Sequence, residues 1–215
     1  MTLEDFAAID DFLLDHLGGD DAALTAALAR AEAAALPQIA VSAPQGKLLY
    51  LLARLIGAER ILEIGTLGGY SGIWLARALH AGWLDTIEID PAHADVAQAN
   101  FDAAGVAERV RLHRGAALDV LPTLAGPYDL SFIDADKQNN SAYFDWAVRL
   151  SRPGALIIVD NVVRGGAILA PGDDEKALGT VALFKALADD TRVEATGLQL
   201  AGAKGWDGII VARVK

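Results

Sequence analysis

The chain has 215 residues, of which 53% are hydrophobic, and it carries a formal net charge of −11 with a sequence pI near 4.7. This composition suits a single globular domain with a large core, and the acidic balance argues against nucleic acid and anionic membrane surfaces as partners. The sequence has no cysteine, which excludes disulfides and thiolate chemistry, and it has neither a signal peptide nor a bilayer-spanning apolar run, which predicts a cytoplasmic protein.

The N-terminal part is rich in alanine and leucine at helical spacing and predicts three helices. The first ends at Gly18-Gly19, the second runs from a cap at Asp20 or Asp21 to about Ala35, and the third spans about Pro44 to Ile56. We therefore divide the chain into an N-terminal helical cap, residues 1–57, and an α/β core, residues 58–215. The sequence leaves open whether the cap only packs on the core, acts as a lid or forms a dimer interface.

After the cap, short apolar runs alternate with helical segments, which is typical of a parallel sheet buried on both faces. The runs that predict parallel strands are Arg60–Ile64, Leu84–Ile89, Val110–His113, Tyr128–Ile133 and Ala155–Val159. Helices between and after them are predicted up to about Ala81, from Pro91, over Ser141–Leu150 and over Glu175–Ala188. Two final runs, Arg192–Leu200 and Gly208–Val214, are too close together for a helical crossover and predict an antiparallel hairpin. The predicted fold is a doubly wound, Rossmann-like α/β sheet of seven strands, mostly parallel, with this hairpin at the C-terminus.

A glycine-rich turn, Gly65–Gly72, follows the first predicted strand at the edge where open parallel sheets bind ligands. Its spacing is G-x-x-G-G-x-x-G and not the G-x-G-x-x-G of dinucleotide-binding turns. Glu88, near the end of the second strand, is placed to accept the two hydroxyls of a ribose. Glu63, beside the turn, would repel a pyrophosphate but suits the sulfonium and ammonium of S-adenosylmethionine. The alternative is a tight turn that merely packs a helix on a strand.

Acidic and amide side chains follow the fourth and fifth predicted strands. Asp134 ends one strand and Asp160-Asn161 ends the other. Because neighbouring strands lie about 4.8 Å apart, both carboxylates can reach one ion. The chain must turn at Asn161 for its amide to join them, since successive strand residues face opposite sides. Oxygen-only ligands indicate Mg²⁺ or another hard cation such as Mn²⁺ or Ca²⁺, although ordinary caps and turn residues would also explain these positions.

Lys137, shortly after Asp134, is the candidate general base at this edge. A base must be neutral, and a neighbouring dication favours the neutral amine over the ammonium. The alternative is a solvated surface lysine that pairs with Asp136.

Together these motifs resemble the cation-dependent small-molecule O-methyltransferases, the family that contains catechol and caffeoyl-CoA O-methyltransferases. The resemblance runs from about Gln38 to the C-terminus. The motifs that carry it are Glu63-Ile64-Gly65, Gly69-Tyr70-Ser71, Glu88, Gly115-Ala116-Ala117, Phe132 to Lys137, Val159-Asp160-Asn161 and Gly205-Trp206-Asp207-Gly208.

The resemblance implies a cofactor site, a metal site, a base and a homodimer. The implied contacts to S-adenosylmethionine are Val41 through its backbone, Glu63, Gly65, Thr66, Ser71, Glu88, Ala117 and Asp134. The implied metal ligands are Asp134, Asp160 and Asn161, and the implied catalytic residues are Lys137 and Asp134. Two features depart from the family pattern: Ala117 offers only its backbone where some relatives have serine, and the acceptor-selecting loops Ala35–Gln45 and Arg164–Gly179 match no one subgroup.

The sequence thus predicts an O-methyltransferase that uses S-adenosylmethionine and a divalent cation on a catechol-type aromatic small molecule, such as a catechol, a flavonoid or caffeoyl-CoA. Two other enzyme classes remain as alternatives: an NAD-dependent Rossmann-fold oxidoreductase and a metal-independent methyltransferase that acts on another acceptor. A degenerate fold kept as an interaction module is the third alternative, and the intact set of ligand and base residues argues against it.

Overall fold

The computed structural model describes residues 2–215 and is built on one seven-stranded sheet. The strands are β1 (Arg60–Ile64), β2 (Trp83–Glu88), β3 (Val110–Arg114), β4 (Tyr128–Ile133), β5 (Ser151–Asp160), β6 (Val193–Gly202) and β7 (Gly205–Val214). Their spatial order is β3-β2-β1-β4-β5-β7-β6. The pairs from β3 through β5 are parallel, while β7 pairs antiparallel with both β5 and β6. The predicted fold class is therefore confirmed, including the C-terminal hairpin.

Eight α-helices connect and flank the strands within residues 2–215. They are α1 (Leu3–Leu17), α2 (Ala22–Ala33), α3 (Ala43–Leu55), α4 (Tyr70–Ala78), α5 (Pro91–Ala103), α6 (Ala117–Val120), α7 (Asn140–Arg149) and α8 (Glu175–Ala188). Side-chain caps set several of the N-termini: Asp21 accepts from two backbone amides of α2, and Ser42 forms a capping box with Gln45 at α3. None of these helices is long and apolar enough to cross a membrane.

Each face of the sheet carries its own hydrophobic cluster. On one face, Ile61 and Ile158 pack with Leu24 of α2, Leu49 of α3 and Phe101 of α5. The other face joins strand residues such as Leu62 and Ile157 to α7 and α8. The helices α2 and α3 of the predicted cap therefore contribute to the main core. By contrast, no residue of α1 is buried.

The parallel register aligns the strand ends that matter for the site. Ile64 of β1 pairs with Ile133 of β4, and Ile133 pairs with Val159 of β5. The residues that follow, Gly65, Asp134 and Asp160, therefore leave the sheet side by side. The backbone continues this alignment, since the Asp134 amide donates to the Ile64 carbonyl at 2.9 Å.

Several predicted bounds were wrong. β5 begins at Ser151 rather than Ala155, and β7 begins at Gly205 rather than Gly208, because pairing with neighbouring strands carries polar and glycine residues into the sheet. The helix after the glycine turn ends at Ala78 and not at Ala81, since Leu79 is already extended. The short helix α6 and the 3₁₀ turns, such as Lys137–Asn139, were not predicted because they are too short to show a hydrophobic period.

Candidate active site

Asp134 and Asp160 form a pair of acidic side chains at the carboxyl ends of β4 and β5. Asp160 is only 2% exposed. Burial raises the pKa of Asp160 well above its usual range, and the charge of Asp134 raises it further. The two carboxylates thus face each other in a place where water screens them poorly. Such a pair favours a cation, which would relieve both the repulsion and the loss of hydration.

Lys137 lies against this pair. Its ammonium is 2.8 Å from Asp134 Oδ1, and its side chain is only 7% exposed. The alternative of a solvated lysine paired with Asp136 is therefore wrong. Asp136 instead accepts hydrogen bonds from the Tyr143 hydroxyl at 2.5 Å and from the Asn139 amide at 2.6 Å. The 3₁₀ turn that starts at Lys137 therefore gives Asp134 and Asp136 different hydrogen-bond partners.

Helix α8 covers the turn that carries Lys137. A side chain at Gly179 would place its Cβ 2.3 Å from the Lys137 carbonyl oxygen, so only glycine allows the helix to approach this closely. Helix α8 thus packs directly on the backbone of the turn, in which Lys137 is buried and Gln138 is exposed.

Asn161 turns the chain at the end of β5, as the alternation of strand residues required. Its φ is +59°, a left-handed conformation that asparagine tolerates better than most residues. Its backbone amide donates to Asp160 Oδ1 at 2.8 Å. The following loop is held by Asp207, whose Oδ1 accepts from the amides of Val163 and Arg164 at 2.9 and 2.8 Å. The C-terminal hairpin thereby fixes the loop that leaves the acidic pair.

The donor set at this edge fits a hard divalent cation. Two carboxylates and one amide offer only oxygen ligands, which Mg²⁺ and similar ions prefer, and fewer ligands than such an ion needs, so positions remain for water or a substrate. Residues 2–215 contain no group of three or more His, Cys, Asp or Glu arranged to hold a metal. The two carboxylates alone therefore form no complete ligand set, and the Asn161 amide stays the predicted third ligand.

Glu63, on β1, is fully buried and bonded by hydroxyls. Ser71 donates to its Oε1 and Thr86 to its Oε2, both at 2.6 Å, and the Thr66 hydroxyl is in turn 2.6 Å from that of Thr86. Burial is the largest influence and raises the pKa of Glu63 to about 7, while the two hydroxyls act in the opposite direction. Three of the predicted cofactor residues, Glu63, Thr66 and Ser71, therefore form one network.

The glycine turn is locked to the acidic edge. Gly65 has a φ of +100°, and a Cβ there would lie 2.3 Å from the Asp134 carbonyl oxygen. Leu67 has a left-handed φ of +49°, a strained conformation for leucine. It is held by Glu88, whose Oε2 accepts the Leu67 amide at 2.7 Å. Glu88 thus supports the turn, and its Oε1 accepts the Asp90 amide at 2.9 Å.

Val41 and Ala117 lie at opposite sides of this edge. Val41 is buried, and it lines a small apolar pocket with Gln45, Phe132 and Asp160. Ala117 begins α6, and Gly115 just before it donates its amide to the Glu88 carbonyl at 2.9 Å. The predicted cofactor residues therefore follow the strand edge from the loop before α3 to the end of β3.

One residue that holds the glycine turn was not predicted from the sequence. Asn100 of α5 is buried, and its amide donates to the Gly68 carbonyl at 2.7 Å and to the Ala27 carbonyl of α2 at 3.2 Å. Arg30 of α2 donates to its Oδ1. Asn100 thus ties an N-terminal helix to the turn. No sequence motif marks it, because its partners are distant along the chain.

The chain was compared with known proteins. A family model described as O-methyltransferase matches residues 18–215. The chain is 56% identical over 209 residues to a catechol O-methyltransferase of Mycobacterium tuberculosis, covering 96% of this chain and 95% of that protein. It is 49% identical over the full length of both chains to a catechol O-methyltransferase of Niastella koreensis. The crystal structure of an O-methyltransferase from Bacillus cereus in complex with SAH matches with a TM-score of 0.97 at 46% identity, covering all of both chains.

We predict that Glu63 makes the unliganded protein less stable as the pH rises. A carboxyl pKa of about 7 in place of 4.5 stabilises the fold fully below pH 4.5, and this contribution is lost as the pH rises towards 7. The loss corresponds to roughly 3 kcal/mol of the free energy of unfolding. It should be absent in Glu63→Gln. Between pH 5 and pH 8, the free energy of unfolding measured with denaturant should therefore decrease less for the variant than for the wild type. Glu194→Gln, at an exposed position of β6, is the control. Parallel pH profiles for wild type and Glu63→Gln would contradict the prediction.

Proposed function

The chain belongs to the O-methyltransferase family, and from this premise we propose that it transfers the methyl group of S-adenosylmethionine, with the help of a hard divalent cation, to one hydroxyl of a catechol-type aromatic small molecule. The acceptors we consider are catechols, flavonoids and caffeoyl-CoA. The observation that carries the proposal is the Asp134–Asp160 pair, with Asp160 buried and with the buried Lys137 beside it. Relatives named catechol O-methyltransferase, which match the chain over nearly its whole length, support the acceptor class.

We assign the cofactor to the edge formed by the glycine turn. The residues proposed to contact it are Val41, Glu63, Gly65, Thr66, Ser71, Glu88, Ala117 and Asp134. In support, a full-length structural relative is a complex with SAH. Glu63 suits a cofactor that carries a sulfonium and an ammonium, and its charge would repel a pyrophosphate. The NAD-dependent alternative is not favoured for this reason, and none of the relatives above is an oxidoreductase.

The cation is proposed to be held by Asp134, Asp160 and Asn161. When bound, a hard cation such as Mg²⁺, Mn²⁺ or Ca²⁺ acts as a Lewis acid that makes a neighbouring hydroxyl easier to deprotonate. The acidic pair supplies the two negative charges that neutralise a dication, while the amide adds a neutral dipole. Without such an ion the negative charge of the two carboxylates would remain partly uncompensated. A metal-independent methyltransferase would leave this arrangement unexplained.

Lys137 is proposed as the base, with Asp134 as its partner. The hydrogen bond of 2.8 Å to Asp134 Oδ1 holds the amine at the acidic edge, where the acceptor hydroxyl must lie. The neutral amine takes the hydroxyl proton, and the acceptor oxygen then attacks the methyl carbon in line with the departing sulfur. Because Gly65 and Asp134 are in direct backbone contact, donor and acceptor are held close together, which lowers the entropic part of the barrier.

The homodimer, the cytoplasmic location and the division into a cap and a core stay predictions. Helix α1 offers a surface that a second copy of the chain would cover, since its apolar residues Ile9, Phe12 and Leu17 are exposed. The cap has a clearer structural role, because α2 and α3 contribute to the core and Asn100 connects α2 to the glycine turn.

Removing the metal should abolish turnover. We expect methyl transfer to catechol in the presence of Mg²⁺, and a fall to background after treatment with EDTA that Mg²⁺ reverses. Binding of S-adenosylmethionine, measured by calorimetry in the same samples, should change by less than about threefold, because Asp134 is the one proposed cofactor residue that is also a proposed metal ligand. Turnover that is unaffected by the chelator would refute the metal-dependent mechanism.

Replacing the proposed base should affect chemistry more than binding. For Lys137→Gln we expect kcat to fall by about 10²- to 10⁴-fold, the usual contribution of a general base. The affinity for S-adenosylmethionine should stay within about threefold of wild type. Lys185→Gln, at an exposed position of α8, is the matched control and should leave both values unchanged. An unchanged kcat in Lys137→Gln would remove Lys137 from the base role.

A further inference from the structure

The tip of the β6–β7 hairpin reaches across to the site. Gly202 and Gly205 are the last paired residues, so Ala203 and Lys204 form the tip. The Ala203 amide donates to Asp10 Oδ2 of α1 at 2.8 Å, which holds the tip against the N-terminal helix. Close to the tip, the Asp207 carboxylate accepts the amides of the loop that follows Asn161. The hairpin is therefore fixed both to the cap and to the acidic edge.

The ammonium of Lys204 lies at the mouth of the site. It donates a hydrogen bond to the Ala40 carbonyl, next to Val41. Burial lowers the pKa of Lys204, while the negative charges of Asp134, Asp160 and Asp20 act in the opposite direction. Lys204 thus lies within electrostatic reach of both carboxylates of the acidic pair.

Lys204 nevertheless has no counter-ion of its own. Its ammonium forms no ion pair with any carboxylate of residues 2–215, whereas Lys137 is paired with Asp134. The Asp20 carboxylate already accepts the Tyr70 hydroxyl. Once a dication neutralises Asp134 and Asp160, the charge of Lys204 has no carboxylate partner, at a position that is exposed and open to a ligand. Such a position favours an anion.

A flat apolar surface, the ring of Trp206, lies two residues further along the chain. Trp206 is 46% exposed, and its ring lies close to Gly166, where a Cβ would be 3.2 Å from the indole. The indole nitrogen is occupied, since it donates to Gln199 Oε1 at 3.0 Å. The exposed ring is thus available for stacking, and Gly166 belongs to the loop that leaves the acidic edge. An aromatic ring with an acidic substituent matches this combination of a ring surface and an ammonium.

We propose that Lys204 is a specificity-determining residue that binds a carboxylate on the acceptor ring, so that the preferred acceptors are catechols bearing a carboxylate. This inference rests on the proposed function, because it assumes that a catechol-type acceptor lies at the Asp134–Asp160 edge. Lys204 recognises the acceptor at a point away from the reacting hydroxyl and takes no part in the proton transfer.

The test compares the binding of two ligands that differ only in the carboxylate. Dissociation constants for 3,4-dihydroxybenzoate and for catechol are measured by calorimetry with SAH and Mg²⁺ present, for wild type, Lys204→Gln and the control Lys185→Gln. Glutamine keeps a donor for the Ala40 carbonyl but has no charge, so a purely structural role in holding that loop would be preserved. We expect Lys204→Gln to bind 3,4-dihydroxybenzoate about tenfold more weakly, the effect of losing a charge-assisted hydrogen bond, and to bind catechol as the wild type does.

Three results would overturn the proposal. One is an unchanged affinity for both ligands, and another is an equal loss for both. The third is a weaker affinity for SAH with the ratio between the two ligands unchanged, which would assign Lys204 to the carboxylate of the cofactor. The proposed function is tested separately, by Mg²⁺-dependent methylation of catechol in the wild type. Its failure is therefore distinguishable from a failure of the Lys204 assignment, which is judged by binding alone.

Discussion

The chain places two acidic side chains at the ends of neighbouring parallel strands, and the rest of the site depends on this arrangement. The register of β1, β4 and β5 leaves Asp134 and Asp160 no freedom to separate, because each follows a paired strand residue directly. The burial of Asp160 then makes the repulsion between the two carboxylates costly. Lys137 relieves only part of it. We propose that a hard cation would compensate the remainder, and such an ion would leave coordination positions for the oxygens of an acceptor.

The same strand register joins the edge proposed for the cation to the edge proposed for the cofactor. Gly65 begins the glycine turn directly beside the Asp134 carbonyl, and no larger residue fits there. Asn100 and Glu88 hold the turn through hydrogen bonds to Gly68 and Leu67. The two proposed ligand sites would therefore meet at one backbone contact, which suits a transfer reaction between two bound molecules. The N-terminal helices belong to this support, since Asn100 reaches α2.

Much of this could be predicted from the sequence, because strands buried on both faces are uniformly apolar and the residues after them must meet at one edge. The parallel strands, the hairpin and the turn of the chain at Asn161 followed from such local rules. The pairing of Lys137 with Asp134 instead of Asp136 did not, since it depends on a 3₁₀ turn and on the approach of α8. The contacts of Asn100 and Lys204 also could not be predicted, because their partners lie far away along the chain. The functional roles of the site residues stay predictions.

The most direct test of the central idea is a titration with Mn²⁺, in which the free ion is followed by electron paramagnetic resonance. We predict one strong site per chain in the wild type, weakened by about tenfold or more in Asp160→Asn. Asp136→Asn is the matched control, because the Asp136 carboxylate is hydrogen-bonded to Tyr143 and Asn139. This substitution should leave the affinity for Mn²⁺ unchanged. Equal affinity in wild type and Asp160→Asn, or no stoichiometric binding in the wild type, would contradict a cation at the Asp134–Asp160 edge.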